Sequence, residues 1–401
     1  MTFENFLKST PSPYSTVAVL KTMLTEAGFT EAVSTDGPFE YGKGYFIIYN
    51  DTCLAAFIKN AGHGLTVSCA HTDFPVLKIK STNVSNSVGV SRLFVEAYGG
   101  LIHHSYLNTP LKAAGRICFL DDNGNVKKKD FTDIGINFII PDAAIHANRD
   151  INKGASYSVQ KELMPFYKLE DEKSSFTDYL AKICETSPEK VLSYDLSLVD
   201  AFDPALCGAD NSLLAAEGLD DRAMVYAIFS GIINNKNTSG SKICIAFNHE
   251  ECGSMSAGGA KSAIAKELIT SIFGIIPKNT LLLSCDMAHA THPAYPQFCD
   301  EANPVILGRG IAVKSSWNQS YSTDPDATAK FKSAAIKNNI PFQNSTNNSD
   351  KPSGTTIGPM LSAMLGIPAV DIGIPLLSMH ALRETAAVKD IDNAIRLFEV
   401  I

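Results

Sequence analysis

No Cys-x-x-Cys occurs in this chain of 401 residues, and its nine cysteines are scattered between Cys53 and Cys299. The odd count and loose spacing suggest neither a disulfide framework nor a zinc ribbon, and best fit buried free thiols in a reducing compartment. No apolar run reaches membrane-spanning length; Val225–Ile233 is among the longest, and Ser230 and Gly231 interrupt it. The first residues, Met-Thr-Phe-Glu-Asn, lack the basic and apolar regions of a secretory signal. A cytoplasmic protein is predicted. Positive charge is also scarce: Lys+Arg number 34 against 42 Asp+Glu, for a formal net charge of −8. That balance argues against a nucleic-acid partner, which needs clustered cations. The only basic run, Lys127-Lys128-Lys129, lies between Asp121-Asp122 and Asp130 and reads as a solvated loop. There is no internal repeat, and only the polar stretch Asn344–Ser353 approaches low complexity.

What is present is ordinary globular material, 45% hydrophobic and 19% charged. The length exceeds what one core usually serves, so two domains are expected. A helical pattern spans Val17–Ala27 and closes at Gly28. Strand-like runs follow at Tyr45–Asn50, Cys53–Ile58 and Leu65–Ala70, the last leading into His71-Thr72-Asp73. From Asn83 to Gly208 the texture changes. Arg92–Tyr98 and Arg116–Leu120 read as short strands, Asp122-Asn123-Gly124 as a hairpin turn, and Lys153–Asp171 as polar and irregular. This stretch, 83–208, is predicted to be an inserted, β-rich second domain within a discontinuous catalytic domain, 1–82 and 209–401. After Gly218, helices at Asp220–Asn234, Ser256–Thr270 and Thr355–Leu365 alternate with strands at Ser241–Asn248, Leu281–Cys285 and Pro368–Ile372. That rhythm predicts an α/β fold with a mostly parallel sheet covered by helices.

Four of these strands end in chemically capable residues: His71 and Asp73; His249-Glu250-Glu251; Asp286 with His289 and His292; and Ser378-Met379-His380. Asp220-Asp221 joins them from a helix start. In open α/β sheets, ligands bind outside the carboxyl ends of the strands, so these residues should converge. Imidazoles and carboxylates without a thiolate pair suit Zn, Mn or Co. Five ligands, one carboxylate bridging, would serve two metal ions, which lower the pKa of a bound water to roughly 7. One of two adjacent glutamates then serves as general base. Each motif alone has a plainer reading: a surface turn for His71-Thr72-Asp73, a helix cap for Asp220-Asp221, solvated charge for Glu250-Glu251, a structural residue for His380. An unpaired carboxylate at Asp286, after an apolar run, would be costly. Their joint, ordered occurrence favours one site.

The ordered set resembles the aspartyl aminopeptidase family of metallopeptidases, within the co-catalytic zinc exopeptidases. The matching segments are Ser68–Pro75, Gly218–Arg222, His249–Ser254, Cys285–Pro293, Ser353–Pro359 and Ser378–Glu384, with Ile145–Arg149 in the insert. The resemblance implies a zinc exopeptidase fold with two divalent metals per subunit, zinc foremost, Mn or Co as alternatives. It implies that Asp220 bridges them, with His71 and Asp286 completing one ion and Glu251 and His380 the other. Glu250 is implied as general base, Asp73 as the residue orienting His71, and His289 as an oxyanion donor. His146 matches a histidine that enters the neighbouring subunit's active site, and the insert is implied to mediate dimerisation. Lys314 and Tyr321 match residues lining the pocket for the substrate's first side chain. A homo-oligomer, a tetrahedral dodecamer of dimers, is implied.

The chain departs from the family pattern in three places: Ile311-Ala312 where Gly-Pro is expected, the bulkier Trp317, and His249 before the glutamate pair. The implied activity is removal of an N-terminal residue from peptides, preferentially Asp or Glu, by a metal-activated water. Rivals are a neutral N-terminal preference, a dipeptidase or N-acyl amino acid deacylase on the same scaffold, and a non-catalytic assembly protein. The complete ligand set argues against the last.

Overall fold

A computed structural model describes residues 1–62, 64–170, 175–237 and 239–401. Its largest sheet has nine strands in the order Thr30–Glu31, Gly44–Tyr49, Cys53–Ile58, Ser241–Phe247, Gly64–His71, Asn279–Cys285, Ala369–Gly373, Ile311–Ser315, Phe342–Thr346. The central four, from Ser241–Phe247 to Ala369–Gly373, run parallel. Antiparallel pairings flank them. Ser241–Phe247 is buried at every position. Burial on both faces explains why such strands read as continuous apolar runs rather than alternating ones. Alternation survives in which layer each residue meets. Cys244 and Ala246 join the cluster holding Leu20, Ile228 and Leu397 from three helices. Ile243, Ile245 and Phe247 face the cluster built by Leu268 and Leu361 from two others.

A second sheet is wholly antiparallel and contains Val126–Phe131, Leu111–Leu120, Val191–Asp200, Val76–Ser87, Val90–Tyr98 and Phe166–Leu169. It has its own apolar cluster, to which helix Phe176–Ile183 contributes Phe176 and Leu180. Strand Val76–Ser87 straddles the expected boundary at Asn83, so this sheet starts earlier in the chain than the texture suggested. It also ends earlier: Ala205–Cys207 and Leu213–Ala216 pair into a third, five-stranded sheet with Glu384–Ala387.

Several local expectations need correction. Lys127, Lys128 and Lys129 lie in edge strand Val126–Phe131, not in a loop. Lysines on an edge discourage pairing with another chain. The helix expected from Ser256 begins only at Ile264. Gly258-Gly259 precede it, and a Cβ at Gly259 would lie 2.4 Å from the Ser254 carbonyl oxygen, so the chain turns tightly there instead. The stretch read as irregular from Lys153 contains strand Phe166–Leu169, and Asp171 lies outside the described residues. Asn344–Thr346, read as loop, is the end of strand Phe342–Thr346.

Candidate metal and active site

The carboxyl ends of the parallel strands open into one cleft of about 460 Å³. His71 is the last residue of its strand and Asp286 follows Cys285 directly. Glu250 and Glu251 sit in a short 3₁₀ turn after Phe247, entered through His249 at φ +62°. Asp220 and Asp221 stand at the head of helix Leu219–Ile233, joined by a cis peptide bond. His380 comes from the loop after Leu377, at φ +68°.

Both histidines are held by one ring nitrogen and aim the other into the cleft. His71 Nδ1 lies 2.9 Å from the Asp73 carbonyl oxygen, and His380 Nδ1 lies 3.0 Å from that of Gly100. An Nδ1–H donated to a carbonyl leaves Nε2 free as a ligand. His71 Nε2 lies 3.5 Å from Asp220 Oδ1, and His380 Nε2 lies 3.5 Å from both Asp220 Oδ2 and Glu251 Oε1. Those gaps exceed a hydrogen bond, but two ligands about 2.0 Å from a tetrahedral zinc stand roughly 3.3 Å apart. Three groups have potential ligand atoms within 4.8 Å of one another: His71, Asp220, Asp221 and Asp286; His71, Glu250 and Glu251; and Asp220, Glu251 and His380.

The electrostatics fit a cation as well. Asp220 Oδ1 and Asp221 Oδ1 are buried without a hydrogen-bond partner among the described residues. Burial, reinforced by neighbouring carboxylates, pushes Glu250 up to about 7. Burial likewise pushes Asp286 up to about 6, although Lys314 opposes it. Burial also works against ionisation of Asp220, but His380 and His71 outweigh it and hold its pKa below the ordinary range. For His71, burial disfavours the charged form and the surrounding carboxylates, Asp221 first, more than compensate, so its pKa is raised. Packed carboxylates with orphaned oxygens would be costly without a counter-charge, and divalent metal supplies one.

Asp73 orients His71, but through its backbone carbonyl; its carboxylate is 3.5 Å from Nδ1. That carboxylate instead accepts the N–H groups of Glu250 and Glu251 at 3.1 Å each and the Tyr98 hydroxyl at 2.5 Å. Two further carboxylates act on backbone in the same way, and the sequence reading gave them no role. Asp221 Oδ2 accepts the His71 N–H at 3.1 Å. Glu384 accepts those of Asp220 and His380. Their place inside the quoted motifs was the available signal.

The other expected residues divide. Lys314 is no surface lysine: it is 5% exposed, and its Nζ donates to the Met287 carbonyl at 2.7 Å. Tyr321 is buried beneath it, the ammonium 5.3 Å from the ring centroid. Trp317 is 85% exposed and does not line the cleft. His289 lines the cleft with its surface open to solvent, while the crowding walls, and then Lys314, hold its pKa below the ordinary value. His146 sits in an exposed turn and does not line this cleft. It is therefore not a packed core histidine.

A family model for the aminopeptidase I zinc metalloproteases, M18, matches residues 6–401. The chain belongs to the M18 family. Among M18 relatives, a probable family aminopeptidase 2 from Clostridium novyi is 31% identical, covering 98% of this chain and 96% of its own length. Aspartyl aminopeptidase 1 of Schizosaccharomyces pombe is 30% identical, covering 99% and 93%. The structure of the Ape4–Nbr1 complex contains a chain of the same fold, with TM-score 0.93 and 29% identity, covering 99% of this chain and 84% of that one. Membership makes this protein a zinc metalloaminopeptidase, and the buried cluster around Asp220 is able to hold metal.

Proposed function

We propose that this M18 aminopeptidase removes N-terminal residues from peptides with two zinc ions, and that it prefers Asp or Glu at the N-terminus. The observation that carries the two-ion reading is Asp220. Its two oxygens face different imidazoles, Oδ1 toward His71 and Oδ2 toward His380, each at 3.5 Å. His71 and Asp286 would complete one site, Glu251 and His380 the other. Bound zinc supplies an activated water and polarises the scissile carbonyl. Glu250, lining the cleft beside these groups, takes the proton from the attacking water and returns it to the leaving amine. His289, with its pKa held below the ordinary value, donates to the developing oxyanion.

Acidic preference rests on Lys314, a buried cation in the cleft of a chain with net charge −8. An acidic substrate needs such a local cation against the overall field. One observation favours neutral preference instead: Lys314 already pairs with Asp286 at 3.7 Å. Assays of N-terminal Asp, Glu and Leu peptides, each with chelator and with restored zinc, separate the readings. Activity that survives proven removal of metal would sink the metal mechanism. Hydrolysis of N-acyl amino acids without need of a free α-amine would move the protein to the deacylases.

His146 supports a subunit-shared site, since it is exposed on the segment between strands Val126–Phe131 and Phe166–Leu169. The second sheet, taken with residues 83–208, would then be the dimerisation region of a dodecamer built from dimers. Mixing inactive His146→Ala and Glu250→Gln subunits should restore part of the activity after exchange. The nine cysteines are all free, which fits a cytoplasmic location.

A further inference from the structure

The cleft extends beyond the metal cluster to a wall that the chemistry above does not use. Tyr295 and Phe298 line it, 51% and 57% exposed. Their rings stack with centroids 5.8 Å apart and planes 14° from parallel. His292 continues the row, 4.9 Å from Tyr295. Lone exposed aromatics are common, but a stacked row inside a reaction cleft is what a binding wall looks like. Lys351 closes the row, its Nζ 5.4 Å from the Phe298 ring centroid. Lys351 lines the same cleft.

The row is also fixed in place. Asn348 Nδ2 donates to the carbonyls of Gln297 at 3.2 Å and Cys299 at 3.4 Å. Cys299 and Asn347 form an isolated β-bridge. Asn303 Nδ2 donates to Thr346 Oγ1 at 3.0 Å. The turn carrying the aromatics is thus tied to the loop carrying Lys351, so little ordering would be lost on binding.

We infer that this wall binds the part of the peptide that leaves: its apolar side chains stack on Tyr295 and Phe298, and a carboxylate of that segment pairs with Lys351. The inference rests on the aminopeptidase reading. The carboxylate is either the C-terminus of a short peptide or an acidic side chain of a longer one. The enzyme then favours substrates whose second and third residues are aromatic, over and above its choice of first residue.

The test compares substrates within each variant of the assembled holoenzyme. An aminoacyl amide has no leaving side chains; tripeptides with Phe or Ala at positions two and three supply them. In the wild type, Phe should raise kcat/KM over Ala by about three- to tenfold, as stacking energies imply. Tyr295→Ala with Phe298→Ala should erase that ratio. Lys351→Met should remove an advantage of about two- to fivefold for a free C-terminal carboxylate over its amide. In C-terminally amidated peptides, Asp against Asn at position three asks the same of a side-chain carboxylate. Salt should weaken whichever preference exists. Unchanged Phe-to-Ala ratios in the double variant would overturn the inference. So would equal losses on amide and tripeptides together with dissociation of the assembly, because the row would then be a subunit contact. A wild type that cleaves neither amide nor peptide rejects the aminopeptidase reading itself, a distinct outcome.

Discussion

Lys314 Nζ stands 3.7 Å from Asp286 Oδ1, so one buried lysine of the cleft faces a candidate metal ligand. Burial opposes its charge, but Asp286 leads the interactions that keep its pKa raised. Zinc at Asp286 would draw that carboxylate's charge away and leave the lysine free to pair with an incoming acid.

Lys314→Leu tests this. Loss of a buried charge pair should lower kcat/KM for N-terminal Asp and Glu by about 2–4 kcal/mol. Substrates beginning with Leu or Ala should be cleaved as well or better. A wild type that already prefers Leu over Asp would end the acidic reading and leave the metal site untouched.

The two glutamates of the 3₁₀ turn should separate cleanly. Glu251 belongs to the group with Asp220 and His380, whereas Glu250 does not. Glu250→Gln should keep its metal and lower kcat by roughly 10²–10⁴. Glu251→Gln should lose metal from one site. Elemental analysis of both variants decides, and the opposite pattern would exchange their roles.

Glu384 is buried, and its two oxygens accept the N–H groups of Asp220 at 2.9 Å and His380 at 2.7 Å. Burial and Asp220 push its pKa up to about 8, yet two accepted N–H bonds require both oxygens as acceptors, the work of the ionised form. In Glu384→Gln one backbone N–H must meet an NH₂ group. Zinc affinity should fall about 10–100-fold, as for other outer partners of metal ligands. Chelator competition measures it. A variant with a lower metal-free Tm and wild-type zinc affinity would make Glu384 merely structural.

The sequence made the segments that carry the candidate site legible because each ends a buried strand or begins a helix, where composition and position agree. His71, Asp220, Glu250, Glu251, Asp286 and His380 do line one cleft. What it concealed were acts of side chain on backbone. That Asp73 holds two peptide N–H groups from 177 and 178 residues away is a property of the folded register. Strand Val191–Asp200 was missed because its first half, Val-Leu-Ser-Tyr-Asp, is half-buried or exposed and shows no strict apolar–polar alternation; only its end is a buried run. Helix Val388–Val400 was missed too, although its apolar residues fall on one face and cover the sheet. Strand Val76–Ser87 crosses residue 83, where the texture changes, because it begins with apolar residues that resemble the first sheet's strands.

A last expectation concerns pH and lies away from the active site. Lys242 is buried in a central strand, and its Nζ donates to the Phe398 carbonyl at 3.1 Å. Burial lowers its pKa from 10.5 to about 8. Below about 8 the lysine is charged in both folded and unfolded chains, and the folded chain bears the cost of burying that charge. Between about 8 and 10.5 the unfolded chain binds more protons than the folded one, so this residue's contribution to stability rises with pH. Above that window both forms are neutral and the contribution levels off. Lys242→Met removes the titration while keeping most of the volume. The stability difference, wild type minus variant, should therefore climb across this window by up to roughly 3 kcal/mol. Denaturant unfolding of both proteins from pH 7 to 11, with zinc held saturating, measures it. A flat difference would show that Lys242 keeps its charge in the fold, with Glu399 rather than the apolar core setting its state.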